Sequence, residues 1–233
     1  MVPERFRMGQ ADRPIAVLFS GGLDSAVLLA YAAEQGIVQP LYVSVGLAWE
    51  EQERAAAEHL SDRGVTAGRI RPLVSLRIDM RDVYPASHWA VRGEAPAFDT
   101  PDEDVYMEGR NIVLLSKAAV FMTRAGIERI MIGSLAGNPF PDASGEFFLA
   151  MAKALSTGLA APIRIEAPFS GKHKADVIRL GHSLGVRLQA TLSCMQPQQG
   201  LHCGRCSKCR ERRDGFREAG VEDPTRYVVT PQR

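Results

Sequence analysis

No apolar run in this 233-residue chain approaches the roughly 18 residues that a membrane-spanning helix needs. The opening stretch, Met1 to Pro14, is polar and charged and lacks the apolar core of a secretory signal. Charge of one sign is missing too. The 28 Lys and Arg stand against 27 Asp and Glu, a formal net charge of +1, so no strong field favours duplex nucleic acid or an anionic membrane. Cysteine is scarce: four residues, too few and too clustered to staple a chain of this size. Internal repeats and low-complexity tracts are also absent. The expectation is a soluble, cytoplasmic protein with one large α/β domain, or one domain and a small appendage.

What is present is alternation. Strand-like runs at Ile15–Phe19, Pro40–Val45, Ile70–Ile78 and Ile130–Gly133 interleave with helical patterns. The helical patterns cover Ser25–Gln35, Trp49–Arg63, Asn111–Ala125, Gly145–Leu155 and Lys174–Leu184, with Gly64, Gly126 and Gly185 as stops. This order predicts a doubly wound parallel sheet with helices on both faces, and ligands beyond the carboxyl ends of its strands. Residues 83–104, rich in proline and acids, read as a lid-like loop or a disordered excursion.

The string Phe19-Ser20-Gly21-Gly22-Leu23-Asp24-Ser25 sits between the first strand and the first helix. Two glycines let the backbone close on a phosphate, and the helix start offers unpaired N–H groups and a positive dipole end. Ser20 and Ser25 add hydroxyls, while Asp24 implies a bound magnesium ion or a helix cap. The lysine of the common Gly-x-x-x-x-Gly-Lys-Ser/Thr phosphate loop is missing.

All four cysteines fall between positions 194 and 209, as Cys194 and a Cys203-Gly-Arg-Cys206-Ser-Lys-Cys209 knot. This spacing suits a closed tetrahedral zinc site, with Arg205, Lys208 and Arg210 offsetting the thiolate charge. A disulfide pair, an iron–sulfur centre or substitution of one thiol by His202 are the alternatives. If a metal takes all four thiols, none is left to carry a persulfide.

The glycine string resembles the pyrophosphate loop of the PP-loop ATP pyrophosphatases, whose fold is of the adenine nucleotide alpha hydrolase type. Loop and cysteine knot together resemble the 7-cyano-7-deazaguanine synthase family. Further matches are Glu108-Gly109-Arg110-Asn111 at a helix start, Ile132-Gly133 after a strand, and Pro168 followed by Lys174-Ala175-Asp176 and Leu184-Gly185. The resemblance covers residues 14 to 217. It implies a flexible N-terminus at 1–13, an ATP-binding domain at 14–190 and a four-cysteine zinc segment with a tail at 191–233. It further implies ATP, Mg2+ and Zn2+ as cofactors, ammonia and a small-molecule carboxylate as partners, and a homodimer. The implied reaction adenylates 7-carboxy-7-deazaguanine, displaces AMP with ammonia, then activates the amide oxygen and loses it to leave the nitrile preQ0.

On that reading Asp24, Arg110 and Lys174 are catalytic candidates, since fixed cations at developing charge are a large catalytic term. Phe19, Ser20, Gly21, Gly22, Leu23, Asp24, Ser25, Gly109, Arg110, Asn111 and Gly133 are expected around the nucleotide. Trp49, Glu50, Phe140 and Asp142 are expected on the substrate side; a capping role for Asp142 and a dipole role for Glu50 and Glu53 stay open. Two strings depart from the family. Val45-Gly46-Leu47-Ala48-Trp49-Glu50-Glu51 stands where a Tyr-Gly-Gln-Arg-His-like string is usual, and Phe140-Pro141-Asp142-Ala143-Ser144 replaces Tyr-Pro-Asp-Cys-Arg. A paralogue that adenylates another carboxylate or stops at the amide, and a zinc-stabilised nucleotide-binding module without turnover, are therefore carried as alternatives.

Overall fold

A computed structural model describes residues 14–62 and 68–230. The segment 1–13 and the Gly64 stop lie outside the described residues. One parallel sheet runs in the order β3-β2-β1-β4-β5. Its strands are β1 Ile15–Leu18, β2 Val38–Ser44, β3 Val74–Arg77, β4 Arg129–Met131 and β5 Arg164–Glu166. The helices are α1 Leu23–Ala33, α2 Glu50–Asp62, α3 Trp89–Arg92, α4 Arg110–Ala125, α5 Gly145–Leu159, α6 Lys174–Ser183 and α7 Ser207–Ala219. The expected doubly wound α/β sheet is therefore present.

Central β1 is buried along its length, which is why it reads as an unbroken apolar run. Ile15 and Val17 enter the layer built with α1, α6 and α7, whereas Ala16 and Leu18 enter the layer built with α4 and α5. Helix α4 buries Leu115, Ala118, Ala119 and Met122, a stripe at spacings of three and four. Removing one such side chain, Met122 for example, costs about 2–5 kcal/mol. Gly126 ends the helix at φ 69°, and its N–H donates to Met122 O.

Two elements escape the sequence pattern. β5 is three residues long, and two of them, Arg164 and Glu166, are charged. α7 carries Cys209, Arg212 and Phe216 on its buried stripe, so an arginine occupies a core position and the apolar period disappears. Arg212 is 1% exposed. Burial is tolerated because it donates to Thr225 Oγ1, Thr191 Oγ1, Ser193 Oγ and Leu188 O at 2.5–3.1 Å. β2 starts two residues before the expected Pro40, at Val38. Segment 83–104 holds α3 and runs into a 3-10 turn at Asp102–Val105. Its Tyr84 and Ala90 are buried with Val45, Leu47, Trp49 and Met107. The Pro96 carbonyl accepts from Ser207 N (3.2 Å), which ties this segment to the start of α7.

The chain crosses from β3 to β4 on the far side of β1, so the carboxyl ends of β1 and β4 flank the switch point where such sheets bind ligands. The Ser20–Ser25 turn and Gly133 lie there. Gly21 has φ +75°, and a Cβ on it would lie 2.6 Å from Ala57 N and 3.0 Å from Glu53 O. The loop is thus pressed on the backbone of α2. Gly126 has φ +69° with open space around it. Gly126→Ala is expected to cost about 1 kcal/mol for the backbone conformation alone, and Gly21→Ala about 3 kcal/mol or more. Urea unfolding of the two variants checks this, and equal midpoints would show that the loop does not need the close approach.

Candidate functional site

Serine hydroxyls close the loop on itself. Ser20 N–H donates to Ser25 Oγ (3.3 Å), Gly22 N–H to Ser20 Oγ (3.2 Å), and Ser25 Oγ–H to Gly22 O (3.0 Å). Leu192 N–H donates to Gly21 O (2.9 Å), fastening the turn to the C-terminal segment. Gly22 precedes α1 without a side-chain cap, so the first turn keeps uncapped N–H groups at its positive end. A cavity of about 240 Å³ opens over this turn, with Phe19, Ser20, Gly22, Asp24, Ser25, Arg110, Asn111 and Gly133 in its walls. Leu23 faces a neighbouring cavity. Gly109 stands before α4 at φ 73° and shapes the turn that presents Arg110.

Lys174 begins α6 and reaches the loop. Its Nζ lies 2.5 Å from Asp24 Oδ2 and 2.6 Å from Glu211 Oε1, and the other oxygen of Glu211 is 2.6 Å from Lys208 Nζ. Burial opposes the Lys174 ammonium, but the two carboxylates outweigh it and hold its pKa above that of a free lysine. Asp24 Oδ1 is buried with no hydrogen-bond partner, and so is Arg110 Nε. A buried carboxylate oxygen with free lone pairs beside an anion-binding turn fits a hard divalent cation such as Mg2+.

The second cavity, about 290 Å³, shares Ser20, Gly22, Asp24, Glu53, Arg110, Asn111 and Asn138 with the first, so the two adjoin. Four flat aromatic rings stand in its wall beside charged groups. Trp49 and Trp89 lie parallel (centroids 5.8 Å apart, 9° between planes), and Tyr106 lies against Phe140 (5.0 Å, 24°). His88, which precedes α3, accepts from Ala90 N through Nδ1 and rests against Trp89. Asp142 enters this wall while accepting from Asn111 N (2.9 Å), so it also anchors the start of α4; burial raises its pKa. Glu50 turns elsewhere. Its carboxylate accepts from Ser44 Oγ, Val45 N and Gly46 N at 2.6–3.1 Å, which braces the β2–α2 turn, and it lines neither cavity.

Several wall residues were not placed in the site by sequence. Glu53, Trp89, Tyr106, Lys208 and Glu211 all face the substrate-side cavity. Glu53 was visible only as one acid among several at a helix start. Glu211 lies in a basic run far along the chain from Lys174, and no local spacing signals that pairing.

The cysteines converge as expected. Four Sγ atoms lie within 4.8 Å of one another, all buried, with Cys206–Cys209 at 3.5 Å, Cys203–Cys209 at 3.9 Å and Cys206–Cys194 at 4.0 Å. A single tetrahedral ion with metal–sulfur bonds of about 2.3 Å sets sulfurs about 3.8 Å apart. An iron–sulfur cube would insert its own atoms and spread the thiolates further. Backbone N–H groups of Gln196, Cys203 and Arg205 point at the sulfurs (3.3–3.4 Å). The donor set therefore fits a metal ion such as zinc. His202 is not a ligand in this arrangement: its Nε2 accepts from Ser193 N (3.1 Å), and burial pulls its pKa down to about 3, which keeps it neutral.

Among the described residues no helix is long and apolar enough to cross a membrane. Over 89% of its length the chain shares its fold, at TM-score 0.50 and 14% identity, with half of a 4-thiouridine synthetase solved as an RNA complex with bound ATP. Sequence relatives are much nearer. The chain is 34% identical over 93% of its length to a 7-cyano-7-deazaguanine synthase of Anaeromyxobacter dehalogenans, covering 96% of that protein. It is 37% identical over 94% of its length to one from Methylobacillus flagellatus, covering 98% of it. Another, from Methanothrix thermoacetophila, is 35% identical over 90% of the chain and 96% of the relative. A family model described as queuosine biosynthesis protein QueC matches residues 14–220. With that match across both cavities and the cysteine cluster, this chain belongs to the QueC family.

Proposed function

We propose that the protein is an ATP-dependent 7-cyano-7-deazaguanine synthase, which adenylates the carboxylate of 7-carboxy-7-deazaguanine and replaces AMP with ammonia on the way to the nitrile. The observation that carries this reading is the adjacency of the two cavities through Asp24 and Arg110. One has the walls of a phosphate site, the other the flat aromatic walls that suit a fused heterocycle. A carboxylate oxygen is a poor leaving group until AMP is attached to it. The residues that bring the acid and the α-phosphate together therefore do the decisive work.

The uncapped start of α1 and the Ser20 and Ser25 hydroxyls hold the departing pyrophosphate. Lys174 and Arg110 offset charge as it develops on the phosphates. Asp24 is the residue that would hold Mg2+, which supplies charge neutralisation between phosphate oxygens. Trp49, Trp89, Tyr106 and Phe140 orient the ring of the acid and exclude water from it. Cys194, Cys203, Cys206 and Cys209 would hold Zn2+ as a closed structural site. A second reading, a relative that adenylates another flat carboxylate or stops at the amide, is favoured by one observation: the strings at Val45–Glu51 and Phe140–Ser144 lack the family's basic residues.

Mass spectrometry of products formed from 7-carboxy-7-deazaguanine, ATP and ammonium distinguishes these readings. The nitrile with AMP and pyrophosphate is expected; an amide alone points to the shortened reaction, and no AMP at all counts against both. Asp24→Ala is expected to lower AMP formation at least 100-fold, on the scale of lost electrostatic stabilisation, while metal content stays unchanged. Wild-type turnover in that variant would remove Asp24 from phosphate handling. Cys206→Ser is expected to lose the bound zinc, about one ion per chain by elemental analysis, and to expose the segment around α7 to proteolysis. Retention of a full equivalent of zinc would rule out the four-thiolate site.

A further inference from the structure

Four carboxyl groups line the substrate-side cavity: Asp24, Glu53, Asp142 and Glu211. Asp24 is held by Lys174, Glu211 by Lys174 and Lys208, and Asp142 by the Asn111 amide. Glu53, like Asp142, is hydrogen-bonded by neutral donors, here the Tyr42 hydroxyl (3.1 Å) and the Trp49 side chain, and Arg110 acts on it through space. It lines both cavities, so it stands where an acyl phosphate would form between nucleotide and acid. The parallel Trp49 and Trp89 rings form part of the same wall, and the Trp49 side chain donates to Glu53. A carboxylate at the reacting junction that makes no direct ion pair among the described residues is a place for an ammonium ion.

Resting on the synthase reading above, we propose that Glu53 with Trp49 and Trp89 forms an ammonium-binding site, and that Glu53 takes the proton that converts bound ammonium into the attacking ammonia. The proton passes from ammonium to a Glu53 oxygen, and the freed nitrogen lone pair forms the C–N bond to the acyl carbon. The tetrahedral adduct collapses with cleavage of the acyl C–O bond, and AMP leaves with that electron pair. The surplus proton on nitrogen goes to the departing phosphate or to water, and Glu53 returns its own to solvent. No oxidant, reductant or further reactant is needed.

The surroundings of Glu53 suit this task. Burial raises its pKa to about 7, with Glu50 on its own helix adding to the rise, while Arg110 from α4 and the hydrogen bonds from Tyr42 on β2 and from Trp49 pull the other way. An acceptor balanced near neutrality is ionised often enough to bind a cation and basic enough to take its proton. Arg110 also disfavours a second positive charge beside it, which pushes the proton off nitrogen.

Glu53→Gln keeps the size of the side chain and removes the base. Acid-dependent pyrophosphate–ATP exchange, which needs no nitrogen, is expected to stay within about threefold of wild type. The kcat/KM for ammonium is expected to fall about 100-fold or more, and its pH profile to lose the limb near 7. Hydroxylamine, already neutral at neutral pH, is expected to intercept the acyl adenylate at a near wild-type rate in the variant. The proposal is overturned if ammonium kcat/KM stays within about threefold, if hydroxylamine is slowed equally, or if exchange falls in parallel; the last result would assign Glu53 to holding the acid or ATP. Should the variant not fold, the wild-type profile decides, and absence of an ammonium-specific limb near 7 overturns the proposal. Failure of the wild-type protein to support any exchange with the acid is a different result: it removes the adenylation reading, and this inference with it.

Discussion

Lys174 holds one ammonium between Asp24 on the phosphate loop and Glu211 on α7. Three elements far apart in sequence meet at that nitrogen. Taking a lysine and two carboxylates out of water is costly, and the cost is offset only while every partner is in place. Removing any one of them leaves a charge with incomplete compensation inside the site. The arrangement therefore fixes geometry more than it adds stability. Asp24 is presented with one oxygen committed to Lys174 and the other unpartnered at the loop.

The cysteine cluster acts on this centre through α7. The helix begins at Ser207, between Cys206 and Cys209, so an ion that gathered those thiols would also set where the first turn of α7 starts. One turn on, Glu211 meets Lys174 and Arg212 ties the helix to Leu188, Thr191 and Ser193. Between those last two anchors, Leu192 donates to Gly21 O and holds the loop from its other side. On the proposed function, a closed metal site there would bear on phosphate chemistry mechanically: it would position a carboxylate and a backbone amide without touching the nucleotide.

Much of the fold was legible because its signals are local. The apolar run of β1, the stripe of α4 and the glycine turn each declare themselves within a few residues, and the four thiols share one short stretch. β5 was not legible, since an edge strand of three residues with two charges has no apolar pattern to show. α7 was hidden by Arg212, a core residue whose burial depends on four acceptors that only the folded chain assembles. Site residues follow the same division. The Ser20–Ser25 loop could be read from order and spacing, while the Lys174–Glu211 pairing and the position of Glu53 between two cavities are properties of tertiary approach. Glu50 and Glu53 look alike in the sequence; the turn N–H groups claim the first, and the second is left facing the cavities.

That claim bears on specificity. The turn after β2 has its Val45 and Gly46 N–H groups filled by Glu50, and none of the three residues lines either cavity. Any carboxylate entering the second cavity meets the cations that line it, Arg110, Lys174, Lys208 and Arg212, and not that turn. Lys174 and Lys208 are paired with carboxylates and Arg212 donates to four oxygens, which leaves Arg110, with its unpartnered Nε, as the group best placed to answer a new negative charge. Arg110 also borders the nucleotide cavity. On the proposed function, an acid anchored there would be delivered with its carboxylate toward the phosphates and its ring toward the tryptophans, so that the aromatic residues and one arginine would take over the orienting work of the basic string that this chain lacks.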